Sequence, residues 1–132
     1  MLWKFDLLPG FELMGNPSDF FLDFSTQDEL NMWYKLIRTM VRRYIQRYGE
    51  AWVKQWRFET WNEQDHKDLC NEGFSLLTYL RYFDASLSAL KTISEYLQLG
   101  GPGGSYGHPH FLKFCYRLLD HVENGINSFN SS

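Results

Sequence analysis

Two apolar spacings take turns along this chain, and their alternation limits the folds open to it. Leu30, Trp33, Tyr34, Ile37, Met40, Val41, Tyr44, Ile45 and Tyr48 recur every three or four residues, the period of a helix with one buried face. Ser25 and Thr26 precede that run as cap residues, and Gly49 follows it as a stop. From Val53 to Trp61 the period is two, with Trp56, Phe58 and Thr60 set against Arg57, Glu59 and Trp61, which predicts a strand. Helical spacing returns from about Glu72 to Ile93 and puts Leu76, Leu77, Leu80, Phe83, Leu87 and Leu90 on one face. A brief strand is expected over residues 97–99, closed by Gly100-Gly101-Pro102-Gly103-Gly104. Phe111, Phe114, Cys115, Leu118, Leu119 and Val122 then make a last amphipathic helix. Upstream, the apolar run from Leu7 to Gly15 reads as a first strand, ended by Gly15-Asn16-Pro17-Ser18.

Strand, helix, strand, helix, strand, helix is the order of parallel strands joined by right-handed crossovers, so the expected fold class is α/β. Three strands cannot close a barrel, because an eight-stranded barrel takes about 250 residues, nor can they cover both faces of a parallel sheet. The 132 residues are therefore expected to form one incomplete domain of three strand-helix units.

With 44% hydrophobic and 22% charged residues, the chain is composed like an ordered globular protein. Its formal net charge of -3 argues against a nucleic-acid partner, which needs a basic excess. No apolar run approaches the roughly 20 residues needed to cross a bilayer. Met1-Leu2-Trp3-Lys4-Phe5-Asp6 has no signal-peptide core, so neither a membrane partner nor a leader is expected. Aromatic residues reach 18%, and both sugar clefts and large barrel cores use them. Cys70 and Cys115 are too few for a disulfide framework and are expected to be buried thiols.

In a parallel α/β barrel, side chains just past the C-terminal end of a strand face the active site. Glu63 stands there after the second strand, with Asn62 beside it. A carboxylic acid to protonate a leaving oxygen and an amide to hold a ring hydroxyl are what a sugar-cleaving site requires, although plain loop residues fit the same spacing.

The stretch Phe58-Glu59-Thr60-Trp61-Asn62-Glu63-Gln64-Asp65-His66 resembles the acid/base signature of glycoside hydrolase family 39. The resemblance continues through Leu7-Leu8-Pro9-Gly10-Phe11-Glu12-Leu13-Met14-Gly15, Arg42-Arg43-Tyr44-Ile45-Gln46-Arg47-Tyr48-Gly49 and Leu99-Gly100-Gly101-Pro102-Gly103, and covers the chain from about Asp6 to Phe129. It implies a (β/α)8 TIM barrel of which residues 1–132 are a central part of the catalytic domain. It also implies a retaining mechanism with Glu63 as general acid/base, Asn62 on a substrate hydroxyl, and no cofactor or metal. The implied substrate is a glycosaminoglycan oligosaccharide of the dermatan or heparan sulfate type, and the implied compartment is the lysosome. The family pattern has Asn-Glu-Pro where this chain has Asn62-Glu63-Gln64, which removes a proline that would restrict the loop. Retention needs a second carboxylate about 5 to 5.5 Å from the first. The resemblance places it beyond residue 132, so the chain alone is expected to be inactive. The alternatives are a catalytically inactive truncated product, and a carbohydrate-binding fragment stacking sugars on Trp56, Trp61 and Tyr106.

Other groups carry weaker expectations. Glu12 and Glu59 can tune Glu63 from neighbouring strands, or form structural ion pairs with Arg57 or another cation. His66 can hydrogen-bond near the acid/base or be a plain loop residue. His66 with Cys70, and His108-Pro109-His110, lack the four-ligand spacing of a zinc site. Arg38, Arg42, Arg43 and Arg47 form a basic stripe, read as a solvated outer face paired with acids rather than a sulfated-glycan contact. Gly100 to Gly104 lacks the pattern of a phosphate loop and reads as a tight turn. Asn130-Ser131-Ser132 is a glycosylation sequon at the end of the chain.

Overall fold

A computed structural model describes residues 2–5, 24–60, 76–102 and 111–129. Strand β1 (Leu2–Phe5) is followed by helix α1 (Gln27–Tyr48), a single helical turn α2 (Glu50–Val53), strand β2 (Arg57–Thr60), helix α3 (Leu76–Ile93), strand β3 (Gln98–Gly100) and helix α4 (Phe111–Asn124). The three strands form one sheet in the order β1-β2-β3, parallel throughout, with Phe58 opposite Trp3 on one side and Leu99 on the other. The fold class is α/β, as the alternation of periods requires.

Helix α1 starts and stops where its sequence dictates. Thr26 accepts from the Glu29 amide at 3.2 Å while the Glu29 carboxylate accepts from the Thr26 amide at 3.3 Å, a reciprocal cap worth about 1 kcal/mol. Ser25 takes a different part, its carbonyl accepting from the Arg81 guanidinium of α3 at 2.8 Å. Gly49 ends the helix at φ 87°, a left-handed angle that costs glycine nothing. Leu30, Trp33, Tyr34, Ile37 and Val41 are buried along one stripe, as the spacing predicts.

Three expectations are corrected. The strand expected from Val53 begins only at Arg57, because the Val53 and Lys54 amides donate to Gly49 and Glu50 and close the turn of α2. Val53 and Trp56 are both buried, three residues apart, so the spacing at this end is helical rather than alternating. The buried face of α3 holds Phe83 and Leu90, with Leu76, Leu80 and Leu87 partly buried against the core, as expected, but Leu77 is 68% exposed and the face extends over Tyr79, Tyr82, Ala85, Ser86 and Ala89. On α4, Phe114 and Leu118 are buried but Leu119 and Val122 are 58% and 59% exposed, so its apolar stripe is only half covered. The first strand expected between Leu7 and Gly15 lies outside the described residues; the observed first strand is Leu2–Phe5.

The core is aromatic. Phe24, Trp33 and Tyr82 meet with ring centres 5.1 to 5.6 Å apart, and Tyr79 lies 5.5 Å from Phe114. Trp33 donates its indole N–H to Ser86 at 2.8 Å, and Ser86 donates to the Tyr82 carbonyl, so the polar atoms between α1 and α3 are satisfied. Phe58 and Thr60 of β2 are buried on one face of the sheet, while the alternating Arg57 is exposed and Glu59 is half-buried.

Candidate active site at the carboxyl edge of the sheet

Because the three strands are parallel, the chain leaves all of them at the same edge, after Phe5, Thr60 and Gly100. Central strand β2 ends at Thr60, and Asn62 and Glu63 follow within three residues. Both lie outside the described residues, as do Trp61, His66, Cys70, Glu12, Tyr106, His108, His110 and Asn130. What is described is the platform from which that segment departs.

The platform is held by a polar cluster that no local sequence pattern signals. Thr60 is fully buried, and its hydroxyl hydrogen-bonds the hydroxyl of the equally buried Tyr79 on α3 at 2.7 Å. Burial pushes the Tyr79 phenol well above its ordinary value of 10.0, the charge of Glu59 pushes the same way, and the Thr60 hydrogen bond opposes them. Gly101, just past β3, closes over the pair. A Cβ there would collide with the Thr60 hydroxyl and sit 2.8 Å from that of Tyr79. The ends of β2 and β3 are thus pinned to one side chain of α3; of the glycine run expected to turn, only Gly100 and Gly101 are described.

On the opposite face of β2, Glu59 and Arg57 share a side of the sheet with Gln98, and among the described residues no ion pair joins Glu59 to Arg57. Arg57, Glu59, Leu87, Lys91, Gln98, Leu99 and Gly100 line a cleft of about 450 Å³. The Lys91 ammonium is committed to the carbonyls of Glu95 and Leu97, at 2.7 and 2.9 Å. Arg57 is therefore the cation this cleft can offer a ligand.

A second buried polar centre lies away from this edge. Asp84 of α3 accepts from His121 Nε2 at 2.7 Å and from the amide and hydroxyl of Ser128 at 2.7 and 2.8 Å. The serine bonds the carboxylate rather than the imidazole, so this is not the relay of a nucleophilic triad, in which the imidazole must take the hydroxyl proton. It fastens residues 127–129 across α3, where Asn127 also reaches Ser88 and Phe129 stacks 4.9 Å from Tyr34 of α1.

Trp56, expected as a sugar-stacking platform, is instead 2% exposed and enclosed by Tyr44, Tyr48 and Phe58. It is a core residue, which removes one of the three rings of a carbohydrate-binding fragment. Cys115, expected to be buried, is half-buried. The basic stripe is exposed as expected at Arg42, Arg43 and Arg47, and among the described residues no acid pairs with it; Arg38 and Arg47 lie over the rings of Tyr34 and Tyr48. Among the described residues no helix is long and apolar enough to cross a membrane.

The chain is similar to proteins of known activity over nearly its whole length. It is 44% identical to the α-L-iduronidase of Canis lupus familiaris over 129 residues, which is 98% of this chain and 20% of that protein. It is 32% identical to a β-xylosidase of Geobacillus stearothermophilus over 66% of this chain and 18% of the other. Among solved structures, a bacterial orthologue of human α-L-iduronidase superposes with a TM-score of 0.73 at 29% identity, covering 98% of this chain and 19% of that one. The chain thus spans about a fifth of the length of the relatives it matches. Residues 1–125 match the sequence profile of glycosyl hydrolases family 39, and the chain belongs to that family of glycosidases.

Proposed function

We propose that residues 1–132 are a central part of a (β/α)8 TIM-barrel catalytic domain, supplying the general acid/base Glu63 of a retaining glycoside hydrolase. Asn62 holds a hydroxyl of the sugar ring. The substrate class is a glycosaminoglycan oligosaccharide of the dermatan or heparan sulfate type, from which a terminal α-linked iduronic acid is removed, and the compartment is the lysosome. The observation that carries this reading is the position of Asn62-Glu63 immediately beyond the carboxyl end of the middle strand of a parallel sheet. That is where barrel enzymes place their catalytic groups. The sequential strand order β1-β2-β3 and the polar side formed by Arg57, Glu59 and Gln98 support a barrel wall. The α-L-iduronidase relatives support the sugar.

In this mechanism Glu63 donates its proton to the glycosidic oxygen as the bond to the sugar breaks. A second carboxylate attacks the anomeric carbon, and Glu63, now ionised, removes a proton from the water that releases the product. The nucleophile comes from the remainder of the barrel. The test is Glu63→Gln in the protein that joins residues 1–132 to that remainder. A fall in kcat/KM of about 10² to 10⁴ is expected, with a smaller loss on substrates whose leaving group needs no protonation. External azide should restore turnover and yield the glycosyl azide. Unchanged kcat/KM, or loss without azide rescue, overturns the assignment.

A second reading has its own observation. Tyr116, Leu119, Val122 and Ile126 are all exposed on or just after α4, an apolar surface that suits a chain needing further polypeptide to complete its fold. In that reading the chain by itself is an inactive product.

A further inference from the structure

Positive charge is distributed unevenly in this acidic chain. Between Leu30 and Tyr48, α1 carries five of the thirteen Lys and Arg residues, Lys35, Arg38, Arg42, Arg43 and Arg47, and none of the sixteen Asp and Glu. Lys35, Arg42, Arg43 and Arg47 are exposed. Among the described residues no ion pair neutralises any of them. At 1.5 Å of rise per residue, Lys35 to Arg47 spans about 18 Å along one helix.

The track does not end with the helix. The Arg47 guanidinium lies 5.7 Å from the centre of the Tyr48 ring, and beyond it the Lys54 ammonium, ion-paired with Glu50 at 3.2 Å, lies 4.8 Å from that of Tyr96. Tyr48, Trp52 and Tyr96 are themselves largely exposed. Rows of cations suit sulfate and carboxylate groups, and exposed ring faces suit the apolar face of a pyranose. Because α1 and α2 carry the chain from the carboxyl edge of β1 to the amino end of β2, the Arg43–Lys54 end of the track is at the opposite edge of the sheet from the one where β2 ends at Thr60.

We propose that the outer face of α1, continued through Tyr48 and Lys54, is a secondary binding surface for sulfated glycan chains, separate from the catalytic edge. It holds a polyanionic chain beside the protein while one end of a chain is cleaved elsewhere. The proposal rests on the glycosaminoglycan reading for its choice of polyanion.

The experiment measures binding of a fluorescently labelled heparan sulfate oligosaccharide to the 132-residue chain by anisotropy across a range of salt concentrations. Arg42→Glu with Arg43→Glu is compared with Lys113→Glu plus Arg117→Glu, two exposed cations of α4. The α1 pair should weaken binding at least about tenfold and lower the slope of log affinity against log salt by about two. The α4 pair should change affinity by less than about twofold, and desulfated oligosaccharide should bind neither. Thermal melts show whether the variants fold; should the reversals unfold the chain, Arg42→Gln with Arg43→Gln replaces them. Equal loss in the two pairs, no binding by the unsubstituted chain, or equally tight binding of single-stranded DNA of the same charge overturns the proposal. Glu63→Gln separates it from the catalytic reading. In the protein that joins residues 1–132 to the rest of the barrel, that variant keeps this binding, so α1-dependent binding without Glu63-dependent turnover there sinks the hydrolase assignment alone. Glu63-dependent turnover without α1-dependent binding sinks only this surface.

Discussion

A single phenol, Tyr79, makes the carboxyl ends of β2 and β3 sensitive to small changes. Removing its hydroxyl in Tyr79→Phe takes away the Thr60 partner inside a fully buried site. A loss of about 1 to 3 kcal/mol is expected in urea unfolding, the cost of a buried group that loses its hydrogen bond. Gly101→Ala is expected to cost a similar amount by overpacking, since the added methyl enters space held by the Thr60 and Tyr79 hydroxyls. The two should not be additive, because Tyr79→Phe removes one of the atoms that Gly101→Ala strikes. The raised phenol pKa also sets a pH direction. Folded Tyr79 keeps its proton above the ordinary value of 10.0 at which the unfolded residue releases it. Its contribution is then complete below that pH and is lost as pH rises through and above it. Alkaline unfolding followed by near-ultraviolet circular dichroism should therefore begin at about that pH, and Tyr79→Phe should flatten the dependence.

The elements divide by whether neighbours in sequence or contacts across space decide them. The cap at Thr26, the stop at Gly49 and the buried stripe of α1 depend on residues within four positions, so spacing and residue type were enough to read them. Thr26→Ala should cost about 1 kcal/mol in thermal unfolding. Leucine spacing placed Phe83 and Leu90 on the buried face of α3 but also Leu77, which is exposed, and it passed over Ala89, which is enclosed. This makes an asymmetric prediction: Leu77→Glu should change stability by less than about 0.5 kcal/mol, and Ala89→Leu should lower it by about 1 to 3 kcal/mol. The start of β2 was misread because Val53 and Trp56 belong to a turn. At the candidate site, the motif around Glu63 was legible as a string of residues. Its support from Tyr79 and Gly101 was not, since a hydroxyl pair nineteen positions apart leaves no periodic trace.

For the whole molecule, the governing fact is that among the described residues β1 and β3 are the outer strands of the sheet and α4 exposes part of its apolar stripe. Tyr116, Leu119 and Val122 give α4 a second apolar side. The isolated chain is expected to self-associate as concentration rises, seen as a growing weight-average mass in sedimentation equilibrium. Leu119→Lys with Val122→Lys should reduce that association without lowering the melting temperature, because neither side chain contributes to the buried core. A melting temperature that falls with these substitutions would place the stripe inside the fold instead.

The clasp between Thr60, Tyr79 and Gly101 also has a mechanical meaning. The segments that leave β2 and β3 do not have independent anchors: each begins beside the same ring, set in the wall of α3. A ligand that displaces Thr60 or Gly101 must therefore strain the footing of the other, so the ends of β2 and β3 should respond in concert, as fingers of one hand.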